Sequence, residues 1–146
     1  DVVKELRRHK LAVKNRRMKI DSEAKDQFEA IFRAPLWKMR EGGHRMQEGD
    51  WFKRDMWIAR NGSLAYWSKR EEAQLVYYIA SDIARATITR LDNSRSWRPW
   101  SFQVRLLPAS GLDFTPGEFA AESEEERDRW ISRFEQVGAI VMSGVF

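Results

Sequence analysis

The 146-residue sequence predicts a seven-stranded antiparallel sheet curled into a partly open barrel, closed by a C-terminal α helix and preceded by a helical N-terminal extension. Three observations predict it. From Pro35 onward, short apolar and aromatic runs recur at roughly 8–12-residue intervals with turn formers between them, the pattern of an antiparallel sandwich or barrel. Asn61-Gly62 stands between two of these runs and is a hairpin signal, because the tight turn needs residues that tolerate positive φ. Ser123 opens a final segment in which Trp130, Phe134, Val137 and Val141 share one helical face.

The elements follow in order. Residues 2–33 contain neither Pro nor Gly and read as helix, with Asp21-Ser22 as an internal N-cap and Ala24, Phe28, Ile31 and Phe32 at helical spacing. We therefore divide the chain into a basic helical extension, 1–33, and a compact domain, 34–146, with residues 22–33 packed on the domain. "PLWKMR" (35–40) is the first strand and "WFKRDMWIA" (51–59) the second, joined by a loop with three glycines. "LAYWS" returns from the hairpin, "LVYYIA" and "ATITRL" follow, "WSFQVRLL" alternates in period two, and "EFAAES" completes the seven. The last helix starts at Ser123, with Glu126 three residues on as in a capping box, and ends near Gly138 or continues to about Ser143.

Composition narrows the function. Residues 1–20 hold eight lysines and arginines against two acids, whereas the whole chain is +4, so the basic character belongs to the extension and the body is net negative. Such an arm favours anionic partners. There is no cysteine, which excludes a disulfide framework or thiolate metal site and suits a reducing compartment. No apolar run approaches the ~18 residues of a membrane span. His9 and His44 are the two histidines, no Gly-rich phosphate loop or metal-ligand cluster is present, and Glu124–Glu126 open a helix; no enzymatic activity and no cofactor are expected. The arm has the charge for nonspecific nucleic-acid binding, but the body lacks any recognition motif, so nucleic acid is not expected as a partner.

"NGSLAYW" (61–67) and "AESEEERDRW" (121–130), with Trp130 central in the closing helix, resemble the pleckstrin homology (PH) family over about residues 35–137. The resemblance implies a barrel whose open end binds ligands through loops 41–50, 68–75 and 107–117. It also implies a lysine on the first strand and Lys/Arg-x-Arg on the second in members that bind phosphoinositides. Lys38 fits the first place, Lys53 the second, and Asp55 occupies the third. Counting back from Gly62 turns Trp57 and Ala59 into the barrel and puts Lys53 and Asp55 at the mouth, with Arg54, Met56 and Ile58 facing away. An aspartate there opposes a polyphosphorylated inositol ring and favours a smaller anion such as phosphatidic acid. The expected phosphate ligands are Lys38, Arg40, His44, Arg45, Lys53, Lys69 and Arg70. Met46, Trp51, Leu112 and Phe114 are the expected membrane-inserting side chains.

More narrowly, one basic helical extension ahead of a PH-like domain with an imperfect inositol motif resembles the acylated PH-domain proteins of apicomplexan parasites. That implies a peripheral protein on the cytosolic face of a secretory organelle (the microneme), acylated upstream of Asp1, sensing phosphatidic acid in regulated exocytosis. Two alternatives stand beside it: a protein-interaction adaptor with weak lipid binding, and a phosphoinositide binder.

Overall fold

The computed structural model describes residues 18–146. Residues 1–17, most of the expected basic helix, lie outside the described residues. The strands are β1 (Met18–Lys19), β2 (Ala30–Met39), β3 (Trp51–Ala59), β4 (Leu64–Ser68), β5 (Ala73–Tyr78), β6 (Thr87–Arg90), β7 (Ser101–Arg105), β8 (Gly117–Ala120) and β9 (Ile140–Val145). The helices are α1 (Ala80–Ile83) and α2 (Glu124–Gln136). One sheet runs β1-β5-β4-β3-β2-β8-β7-β6-β9, antiparallel throughout except for the β6–β9 pair. The seven expected strands are β2 to β8; β1 and β9 are additional.

The hairpin forms where Asn61-Gly62 predicts it. Gly62 has φ +91° and its N–H donates to the Ala59 carbonyl, while the Asn61 side chain accepts from Ser63 N–H. The closing helix begins as predicted, with Ser123 Oγ accepting from Glu126 N–H at 3.1 Å. It ends at Gln136. Gly138, at φ +115°, donates to Glu135 O, and Ala139 donates to Phe134 O, which satisfies the last carbonyls and turns the chain away. Val141, expected on the helix face, therefore lies in β9 against β6.

The helix expected over 22–33 is corrected. Ser22–Phe28 is a 3-10 helix and Ala30 already belongs to β2, so the sheet starts ahead of residue 34. Pro35, five residues on, excludes a continuing α helix. The segment ties itself to the hairpin instead: the carbonyls of Gln27 and Glu29 accept from Asn61 and Arg60 N–H, and that of Phe28 accepts from Trp57 Nε1 at 2.9 Å. Pro35 itself sits where β2 pairs with β3 alone, because β8 joins β2 only at Trp37 and Lys38. A residue without an N–H is tolerated on such a one-sided stretch.

The main core lies between the curled sheet and α2. Leu36, Met56, Ile58, Leu64, Ile88, Phe102 and Phe119 pack there with Trp130 and Phe134, all fully buried. Phe32 meets Trp130 edge to face at 4.8 Å. A smaller cluster occupies the outer face of β3 and β4, where Trp57, Ala59 and Ala65 are covered by Ile20 and Phe28 of the N-terminal segment.

Candidate anion-binding cleft

The second cluster sets the phase of β3. Met56 and Ile58 face the main core, so alternation puts Arg54 and Phe52 on that inner face and Lys53, Asp55 and Trp57 on the outer one. The inward assignment of Trp57 with Lys53 and Asp55 is therefore corrected. Trp57 is buried, but beneath the N-terminal segment. A strand covered on both faces carries no alternation from which to read the phase.

Between the β2–β3 hairpin and the β4–β5 turn lies a cleft of about 360 Å³. Lys38 and Arg54 reach it from the strands, Lys69 and Arg70 from the turn, and Met56, Tyr66 and Tyr77 form its apolar floor. Lys38 and Arg54 come together because the register pairs Leu36 with Arg54 and Lys38 with Phe52, leaving both cations on one face of adjacent strands. Lys38 Nζ stands 5.0 Å from the centre of the Tyr77 ring, and the Arg54 guanidinium 5.2 Å from that of Phe52. Among the described residues, no carboxylate lies within ion-pair distance of Arg54, Lys69 or Arg70. Three cations facing a shared space, with no counter-ion of their own among the described residues, can take up an anion, and charge-assisted hydrogen bonds would then replace water.

Lys53 and Asp55 also line the cleft, but both are engaged from the other face. Asp55 accepts from Arg33 Nε at 2.9 Å, and the same guanidinium lies over the Trp57 ring. Lys53 Nζ is 3.0 Å from Glu122, whose carboxyl it holds below its ordinary range; Arg98 approaches the same carboxylate at 3.8 Å. The aspartate expected to repel an anion is thus neutralised by Arg33.

The remaining expected ligands lie elsewhere. Arg40 Nε is 2.7 Å from Asp50, which is held below its usual range first by that bond and then by His44 N–H. Arg45 pairs with Glu118 at 2.7 Å, and its carbonyl accepts from both Trp51 Nε1 and Trp97 N–H. His44 and Arg45 border a separate shallow depression with Arg95 and Glu118. Loop 41–50 is thereby fastened to the β6–β7 connection and not folded over the cleft. Of the expected inserting side chains, Met46 and Leu112 are exposed, whereas Trp51 and Phe114 are buried in core clusters. Those two are corrected: Trp51 packs with Met39 and Ala120, and Phe114 joins the main core.

No family model matches the sequence, and no curated protein matches it. Solved structures do. The C-terminal PH domain of human pleckstrin superposes with a TM-score of 0.54 at 17% identity, covering 80% of this chain and 96% of that one. The same domain in complex with D-myo-Ins(1,2,3,5,6)P5 gives 0.52 at 16% identity, covering 75% and 96%. Human FAM129B (NIBAN2) gives 0.52 at 15% identity; 94% of this chain corresponds to 26% of that one. The chain has the pleckstrin homology fold, as the sequence predicts, with β1 and β9 added at the two edges of the sheet.

Proposed function

We propose that this chain is a peripheral membrane module whose cleft between β2–β3 and β4–β5 holds the phosphate of an anionic phospholipid. The observation that carries the proposal is the convergence of Lys38, Arg54, Lys69 and Arg70 on one cleft, with Asp55 drawn off by Arg33. The inositol pentakisphosphate complex of the pleckstrin domain supports an anionic ligand for this fold. Among the described residues no helix is long and apolar enough to cross a membrane, so attachment through them would be from the surface.

Phosphatidic acid is the lipid we favour. The inner-face position before Arg54 is held by Phe52 and not by a second strand cation. An inositol polyphosphate therefore meets one fewer positive charge on the strands. A phosphomonoester of charge about −1.5 to −2 can be held by two or three cations. The basic residues 1–20 support a second, electrostatic contact with the same bilayer. On this reading the chain acts as a phosphatidic acid sensor on the cytosolic face of an organelle. The resemblance to acylated apicomplexan proteins is what favours, within this proposal, the microneme and regulated exocytosis.

Vesicle sedimentation tests the proposal, with phosphatidic acid, phosphatidylserine or a phosphoinositide added to phosphatidylcholine at matched charge. Phosphatidic acid is expected to bind best, and Lys38→Glu to erase the preference. Equal binding to all three, unaffected by that substitution, would reduce the interaction to general electrostatics.

A further inference from the structure

Among the described residues that line the cleft, Ser68 alone carries an aliphatic hydroxyl. It ends β4, where alternation from Tyr66 turns it to the inner face, with the cleft floor, and leaves Trp67 on the outer one. The β3–β4 register puts Ile58 opposite Leu64 and Met56 opposite Tyr66. Carried one inner-face step further, the same register brings Arg54 beside Ser68. On its other side Ser68 pairs with Ala73 across the exposed turn 69–72. Ser68 Oγ accepts from Glu71 N–H at 3.2 Å, a bond that uses a lone pair and leaves the hydroxyl proton in place. Glu72 closes the turn at φ +50°, in the left-handed region that a non-glycine residue seldom adopts.

We propose that Ser68 is a phosphorylation site, and that its phosphate occupies the cleft and shuts out the lipid headgroup. The proposal rests on the anionic-lipid reading above and adds a control to the same site. In the reaction, the Ser68 Oγ–P bond forms as the bond from the γ-phosphorus of a nucleoside triphosphate to its β,γ-bridging oxygen breaks. A base on the protein kinase takes the hydroxyl proton, and the nucleoside diphosphate leaves. Glu71 and Glu72 stand three and four residues after Ser68, both exposed, so the matching kinase is one that reads acidic side chains on that flank. Position then decides the effect. The new phosphate, of charge about −1.5 to −2, would stand beside Arg54 on the neighbouring strand and next to Lys69 and Arg70 in the turn. It is a phosphomonoester, the same group that the cleft takes from phosphatidic acid on this reading. Held on its own chain, it competes at an effective concentration that no free ligand has to match.

The test compares the whole chain with the same chain carrying phosphoserine at position 68, installed during translation. Affinity for phosphatidic acid vesicles should fall about 20- to 30-fold, since roughly two added negative charges each count about fivefold near the bilayer. In phosphorus NMR without lipid, the second ionisation of the phosphoserine should lie below the ~6 of an unpaired group, and Arg54→Gln should raise it. Casein kinase II with ATP should place phosphate on Ser68 of the folded chain, located by peptide mass mapping, and Ser68→Ala should remove that label. Undiminished vesicle binding by the phosphoserine chain, or an ionisation that Arg54→Gln leaves unmoved, would overturn the phosphate's seat in the cleft. No label at Ser68 of the folded chain would overturn it as a modification site. If the unmodified chain shows no preference for phosphatidic acid while the NMR shift holds, the lipid reading falls and the phosphate's place beside Arg54 stands.

Discussion

Replacing Arg54 with glutamate, in parallel with Lys53→Glu, separates the two phases in which β3 can be read. Arg54 faces the cleft without a carboxylate of its own among the described residues, and its contact with a lipid phosphate is worth roughly 1.5–3 kcal/mol as a hydrogen bond between charged groups. Reversing its sign removes that contact and adds repulsion, so affinity for phosphatidic acid vesicles should fall about 30- to 100-fold. Lys53 is held 3.0 Å from Glu122 on the outer face. Its reversal removes one surface cation, worth about 1 kcal/mol or roughly fivefold. Both positions are exposed, and the Lys53–Glu122 pair is half open to solvent, so neither change should shift stability by more than about 1 kcal/mol. Sedimentation at fixed lipid charge, with thermal melts as the folding control, reads the ratio between the two losses. Equal losses, or a larger one for Lys53→Glu, would show that Lys53 faces the anion and would refute the inner-face assignment of Arg54.

Three further outcomes follow from packing and charge. Trp130→Ala should destabilise the domain by ~3–5 kcal/mol in urea titration, since the side chain is fully buried beneath Phe32. Trp130→Phe should cost clearly less, because the buried indole N–H has no hydrogen-bond partner among the described residues to lose. Gly117→Ala should destabilise by ~1–3 kcal/mol, as its Cβ would strike the Tyr78 hydroxyl and the Phe119 ring, and Tyr78→Phe in the same chain should recover part of the loss. Glu122 is held below its ordinary value of 4.5 chiefly by the hydrogen bond from Lys53. Its contribution is complete above that value and lost as pH falls through the lower, folded-state one. Acid titration of stability should therefore be shallower below pH 4.5 in Lys53→Gln; an unchanged acid limb would remove that bond from the account.

Much of the fold was legible, for reasons that particular residues make plain. β2 to β8 announce themselves through aromatic and β-branched runs bounded by Gly, Pro and Asn, and α2 through Ser123 and the Trp130–Phe134 stripe. The edge strands gave weaker signals. Met18–Lys19 is two residues long and sits inside helix-forming composition, and Val141 continues the Val137 spacing so well that only the left-handed Gly138 breaks it. In the site, Lys38, Lys69 and Arg70 were readable as cations next to turns. Arg54 was not, because Ile20 and Phe28 cover Trp57 from far upstream, and both faces of β3 look buried in the sequence. Arg40 and Arg45 carry the right charge, but Asp50 and Glu118 claim them, and such pairings across loops leave no local trace. Phe52 escaped notice for the opposite reason: an aromatic residue in a strand-rich chain looks like core until its exposure is seen.

The short pairing of β1 with β5 has a mechanical consequence. Met18 lies opposite Val76 and Ile20 N–H donates to Gln74 O, so from Met18 the chain runs along β5 toward its Ala73 end. Lys69 and Arg70 lie beyond that Ala73 end. A pull applied at Met18 and a headgroup held by Lys69 and Arg70 would act on the domain at two points, about a strand's length of 20 Å apart. Two separated grips resist rotation as well as detachment, so a doubly held molecule would be oriented on its bilayer, and one held by either grip alone would pivot.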